Sequence, residues 1–155
     1  MPRLTIILDL DGVLITTLPT QPEVLHADGY TDFDSSCVAN LNALVADVEV
    51  EIWLITARRK GKTLAEMKAI CSNRGINVPI AGMVPVYAEG MKRSHETIRF
   101  IRENNLEHYL IIDDNRVLRQ LPRSMKNRLV QTDFARGFDG EKLQEARRVL
   151  GFTSP

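Results

Sequence analysis

The 155 residues carry 20 basic and 20 acidic side chains, so no net field draws the chain to nucleic acid or to a membrane surface. That length allows one domain to bury a core without disulfide or metal staples. The two cysteines, Cys37 and Cys71, lack zinc-like spacing and read as buried free thiols of a reducing compartment.

Leu4 to Leu8 is apolar throughout, as expected of a central parallel strand covered on both faces. It is too short for a signal peptide core. No later run reaches the roughly 18 to 20 apolar residues of a membrane span, so a cytoplasmic protein with no membrane partner is expected. Ile15 to Asp34 lacks clear periodicity and reads as a flap over the site. The spacing predicts a helix over Ser36–Ala46, with Ser36 as N-cap, and a strand over Val50–Ile55. A helix over Lys62–Arg74 is stopped by Gly75, and a short strand follows around Met83–Val86. Ser94 is expected to cap a helix ending at Asn104 and Asn105. Strands over Tyr109–Ile112 and Leu129–Gln131 precede a closing helix, Glu141–Leu150, ended by Gly151. Alternating strands and helices imply an α/β fold of three layers, Rossmann-like, around a mainly parallel central sheet. The chain reads as one domain over residues 1–155, with 15–34 as the flap.

Ligands of such sheets bind beyond the carboxyl ends of the strands, so polar residues at those ends are the candidates. The first strand runs into Asp9-Leu10-Asp11-Gly12-Val13. Two such close carboxylates repel unless a cation or a shared proton compensates, and Gly12 permits a sharp turn. A carboxylate can attack phosphorus while its neighbour protonates the leaving oxygen and later activates water. An Asp-Gly turn with an incidental second aspartate is the plainer alternative. The second predicted strand ends in Thr56-Ala57-Arg58-Arg59, whose guanidiniums could hold phosphate or form a solvated turn. Lys92 and Arg93 stand before a helix start, where a cation joins free amides in neutralising an anion. Asp113 and Asp114 follow an apolar strand and are poorly explained without a cation; magnesium, a hard cation, takes such oxygens.

Ile6 to Leu14 resembles motif I of the haloacid dehalogenase-like (HAD) hydrolases, an apolar strand followed by Asp-x-Asp-Gly-Val. The resemblance implies that Asp9 is the nucleophile and Asp11 the general acid/base, with the Asp11 carbonyl completing a Mg²⁺ site. It implies that Thr56 binds the transferring phosphoryl group, as motif II. Lys92 is preferred as the motif III cation over Arg93, with Lys62 a weaker rival. Asp114 is the expected direct metal ligand, Asp113 a second ligand or its orienting partner. Gly12, Arg58, Arg59 and Arg93 are the expected substrate-binding residues. Asp11 must be protonated when substrate binds, which is expected to follow from nearby carboxylates.

Trp53 to Arg59, Tyr109 to Asp114, and Thr132-Asp133 followed by Gly137-Phe138 resemble the HAD domains of Swiss Army Knife RNA repair proteins. That likeness implies a phosphatase acting on phosphorylated RNA or polynucleotide ends. The intervals between motifs leave no room for a folded cap, so an open site is expected. His26, His95 and His108 are too scattered for a metal cluster. The basic run Arg116, Arg119, Arg123, Lys126 and Arg128 is either a track for a phosphate backbone or a solvated face. Phosphotransfer from the same aspartate and a non-catalytic phosphate-binding module are the rival readings. The second has no use for Asp11.

Overall fold

A computed structural model describes residues 3–152. Five strands form one parallel sheet: β1 (Leu4–Leu8), β2 (Val50–Leu54), β3 (Ile80–Met83), β4 (Tyr109–Asp113) and β5 (Leu129–Gln131). Their spatial order is β3-β2-β1-β4-β5. The helices are α1 (Ser35–Leu44), α2 (Leu64–Asn73), α3 (Arg93–Glu103), the single turn α4 (Arg123–Lys126) and α5 (Gly140–Leu150). The fold is thus α/β, three-layered and Rossmann-like, and no folded cap interrupts it.

Parity along the strands divides the core. Leu4, Ile6 and Leu8 pack with Leu110 and Ile112 against α1, α2 and α5. Ile7 and Ile111 point the other way, toward Phe100 and Ile101 of α3 and toward Leu118 and Met125. Both faces of β1 are therefore covered, and all five of its residues are buried. The continuous apolar run that marked this strand has that cause. Cys37 and Cys71 are buried and unpaired with each other. Burial pushes the Cys71 thiol up to about 12, so it packs as a small apolar group.

Three local expectations shift. Asp34, not Ser36, caps α1, its Oδ1 accepting from the Ser36 and Cys37 amides at 2.9 and 3.2 Å. The edge strand lies at Ile80–Met83 rather than Met83–Val86, because Pro85 has no amide to continue the ladder beyond Val84. Gly82 within it lies under the Trp53 ring, where an added Cβ would stand 2.4 Å from Cζ3. The helix expected to begin after Ser94 begins at Arg93, and Ser94 is buried inside it.

The order of strands places the site. From β1 the chain builds outward through β2 and β3, then returns to the far side of β1 for β4 and β5. The reversal leaves a crevice at the carboxyl ends of β1 and β4, the switch point where open α/β sheets bind ligands. Leu8 pairs with Ile112 there, and the Asp9 amide donates to the Ile112 carbonyl at 3.0 Å. Asp9 and Asp113 follow directly. On the other side the Ile55 amide donates to the Leu8 carbonyl at 2.9 Å, bringing Thr56 to the same edge.

Candidate active site

Asp9 shares the parity of Ile7, and Asp113 that of Ile111, so both carboxylates lean to the α3 side of the sheet. Carboxylate oxygens of Asp9, Asp113 and Asp114 lie within 4.8 Å of one another. Asp9 and Asp113 are buried. The Asp9 Oδ1 accepts from the Leu10 amide at 2.8 Å, and the Asp113 Oδ1 from the Asn115 amide at 3.0 Å. Burial first, and the Asp113 charge second, hold the Asp9 carboxyl well above its usual range. The same two causes, in that order, raise Asp114.

The cation facing this group is Arg93. Its Nη1 lies 2.7 Å from Asp113 Oδ2 and 3.3 Å from Asp9 Oδ2. Lys92, the preferred motif III cation, is the exposed N-cap residue of α3, and among the described residues it forms no ion pair with these carboxylates. The reason is where the helix starts: its first residue, not its cap, faces the sheet. Lys62 sits elsewhere, over the Tyr30 ring at 5.3 Å.

Adjacent arginines after β2 have opposite surroundings. Arg59, expected to bind substrate, is buried, donating to the carbonyls of Val84, Ile55 and Thr56 and pairing with Glu96. Every nitrogen of its guanidinium is engaged within the core, so it braces the end of β2. Arg58 remains at the mouth. Its Nε and Nη2 form a fork on Asp11, at 2.8 and 3.0 Å, and its Nη1 donates to the Tyr30 hydroxyl and to Thr31 Oγ1 at 3.3 and 3.0 Å. The neighbour of Asp11 is thus a cation from the turn after β2, where carboxylates were expected. Thr56 is fully buried, its hydroxyl accepting from the Arg58 amide at 3.1 Å and capping the 3₁₀ turn Ala57–Arg59.

Gly12 has φ +79°, and a Cβ there would come within 2.5 Å of the Asp114 carboxylate carbon. Glycine is required twice over, for the turn and for the space Asp114 occupies. Behind the loop, Thr132 Oγ1 donates to the Gly12 carbonyl at 2.6 Å, and the Phe138 amide to the Val13 carbonyl at 2.8 Å. The Thr132-Asp133 and Gly137-Phe138 stretch therefore buttresses the first motif from the far end of the chain. Sequence reasoning missed Glu96 and Arg74. Glu96 sits in the first turn of α3, where an acidic residue has an ordinary explanation in the helix dipole. Arg74 closes α2 and holds the flap through Asp28, Tyr30 and Thr31.

The donor set fits a divalent cation. Asp9, Asp113, Asp114 and Glu96 stand against Arg93 and Arg59, an excess of two negative charges. Oxygen donors of this kind suit magnesium. No helix among the described residues is long and apolar enough to cross a membrane.

A family model described as the HAD domain in Swiss Army Knife RNA repair proteins matches residues 5–143. No match was found among curated proteins or among solved structures.

Proposed function

The chain belongs to the family of HAD domains found in Swiss Army Knife RNA repair proteins, and on that premise we propose that it is a magnesium-dependent phosphomonoesterase acting on phosphorylated polynucleotide ends. The family is one of phosphatase-type hydrolases. The observation that carries the reading is the meeting of Asp9, Asp113 and Asp114 within 4.8 Å at the switch point of the sheet.

Asp9 and Asp114 would hold the magnesium, with the Asp11 backbone carbonyl and Asp113 in support. When bound, the ion neutralises the carboxylates and polarises a phosphoryl oxygen. The Asp9 oxygen opposite the Leu10 amide attacks phosphorus, and the phosphorus–oxygen bond to the leaving alcohol breaks. Once the Arg58 fork has opened and Asp11 has taken up a proton from solvent, Asp11 gives that proton to the alkoxide. Thr56 and Arg93 steady the equatorial oxygens, whose charge is the feature the site must match in the transition state. Asp11, now a carboxylate, takes a proton from water; the hydroxide displaces Asp9 from phosphorus and phosphate leaves. Asp11 can do this only after the Arg58 fork opens, since both of its oxygens are engaged at rest. A phosphate dianion entering the mouth is a suitable competitor for that guanidinium.

The test uses wild type and Asp9→Asn with Mg²⁺, first on an aryl phosphate, then on 3′- and 5′-phosphorylated oligonucleotides. Phosphate release that needs Mg²⁺ and is abolished in Asp9→Asn is expected. Equal release from the two proteins would exclude Asp9 as nucleophile, and inertness of wild type toward every ester would favour a binding module.

A further inference from the structure

A cavity of about 560 Å³ opens beside Asp114, between β5, the 3₁₀ turn Arg116–Gln120 and α5. Its volume lies within the range of small-ligand sites. Its basic residues are of two kinds. At the outer end, Arg136 is paired with Asp139 and Glu141 at 3.0 and 3.2 Å, and Lys142 with Glu145 at 3.6 Å. At the end next to Asp114, Arg116 and Arg119 are exposed, and among the described residues neither has an acidic partner within 4.0 Å.

Arg119 is also held in place. Its Nε donates to Gln131 Oε1 at 3.0 Å, and the Gln131 amide nitrogen donates to the Asn115 carbonyl at 3.0 Å. Asn115 is the residue after Asp114, so the arrangement ties Arg119 to the carboxylate pair, while among the described residues its terminal nitrogens have no partner. Phe134, partly exposed, lines the same cavity. A guanidinium with no ion-pair partner among the described residues, sharing a cavity with an aromatic side chain and with Asp114, is a recognisable combination. It suits a phosphodiester together with its neighbouring base.

We infer that this cavity is the subsite for the nucleotide adjoining the scissile phosphate. Arg119, helped by Arg116, takes the internucleotide phosphate, and Phe134 stacks on the base. The inference rests on the phosphatase reading and sharpens it. The enzyme would prefer a strand end to a mononucleotide, because only the strand carries a second phosphate for Arg119 to take.

The experiment measures kcat/KM for p-nitrophenyl phosphate, a phosphorylated mononucleotide, and phosphorylated RNA and DNA trinucleotides. A phosphorylated peptide is a further arm. Arg119→Gln is expected to lower kcat/KM for the trinucleotides about tenfold or more, and to flatten their salt dependence by about one charge. Phe134→Ala is expected to lower it about fivefold or more. Both variants should keep the wild-type rate on the aryl ester, which is too short to enter the cavity, and Arg119→Glu should exceed Arg119→Gln in effect. Equal loss on aryl ester and trinucleotide would mark a structural role and overturn the subsite. So would a wild type that treats mononucleotide and trinucleotide alike, or an Arg119 dependence confined to the phosphopeptide. In those cases aryl phosphate turnover would leave the phosphatase reading standing, whereas its absence in wild type would remove both. A difference between the RNA and DNA arms tells which strand the cavity accepts.

Discussion

The two aspartates of the first motif, two residues apart, inhabit different electrostatic worlds. Asp9 is buried among other carboxylates and shares one guanidinium, Arg93, with Asp113. Asp11 stands at the mouth with a fork of its own from Arg58. One region is short of positive charge and the other is balanced within the chain. On the proposed reading, a nucleophile that must hold a metal would sit in the first, and an acid/base that must exchange protons with the outside in the second. The contrast shows how a single turn after one strand gives two chemically identical side chains separate surroundings.

Removing Asp11 should have the largest effect on that division. Asp11→Asn is expected to slow hydrolysis of alkyl phosphates by about 10²- to 10⁴-fold, the usual worth of general acid–base catalysis. An aryl phosphate, whose leaving group needs less protonation, should suffer less at the first step. Comparable losses on both esters would deny the acid role. On the buried side, Glu96→Gln leaves the Arg59 guanidinium without its counter-charge in the core. About 3–5 kcal/mol of stability should go with it, read as a lowered midpoint in denaturant. An unchanged midpoint would mean that Arg59 finds enough compensation in its three carbonyls.

Opening the mouth pair is a smaller intervention. Arg58→Gln should cost about tenfold in kcat/KM on alkyl phosphates, since phosphate loses a partner and Asp11 its orientation, with little change in melting temperature. A large thermal loss instead would make Arg58 a structural tie. The mildest effect tests the charge imbalance itself. The Asp9 carboxyl holds its proton more tightly folded than unfolded, owing first to burial and then to Asp113. In chelator, the folded state therefore loses stability as pH rises from about 3.9, the ordinary aspartate value, through the raised folded value. Asp9→Asn should melt higher than wild type at pH 7 in chelator, and the gap should close below pH ~4. Magnesium should raise the wild-type melting temperature and leave the variant nearly unmoved.

Much of this was legible in the chain because β1 and β4 are buried on both faces and end abruptly in aspartates. Apolar runs of that kind have few alternatives, and Asp9, Asp113 and Asp114 could be placed at strand ends without knowing the helices. The edge strand is hard to read because its four residues include Ala81 and Gly82, which break the apolar pattern, and Gly82 is required for room under Trp53. Choosing between Lys92 and Arg93 required the helix start to within one residue, a boundary that cap chemistry alone leaves open. The fates of Arg58 and Arg59 were hidden for a related reason. Both are long cations after a strand, and only the turn made by the Thr56 cap sends one inward and the other out.

The clamp that Arg74 places on residues Asp28 to Thr31 bears on how the mouth of the site moves. Its side chain is almost wholly buried, and the guanidinium holds Asp28 well below the usual carboxylate range. Four of its hydrogen bonds end on the flap and a fifth on the Ile70 carbonyl of α2. A segment riveted in that manner to the scaffold acts as a fixed rim. On the proposed reading, strands of any length would thread past an entrance of constant width, and departing phosphate would have no door to wait for.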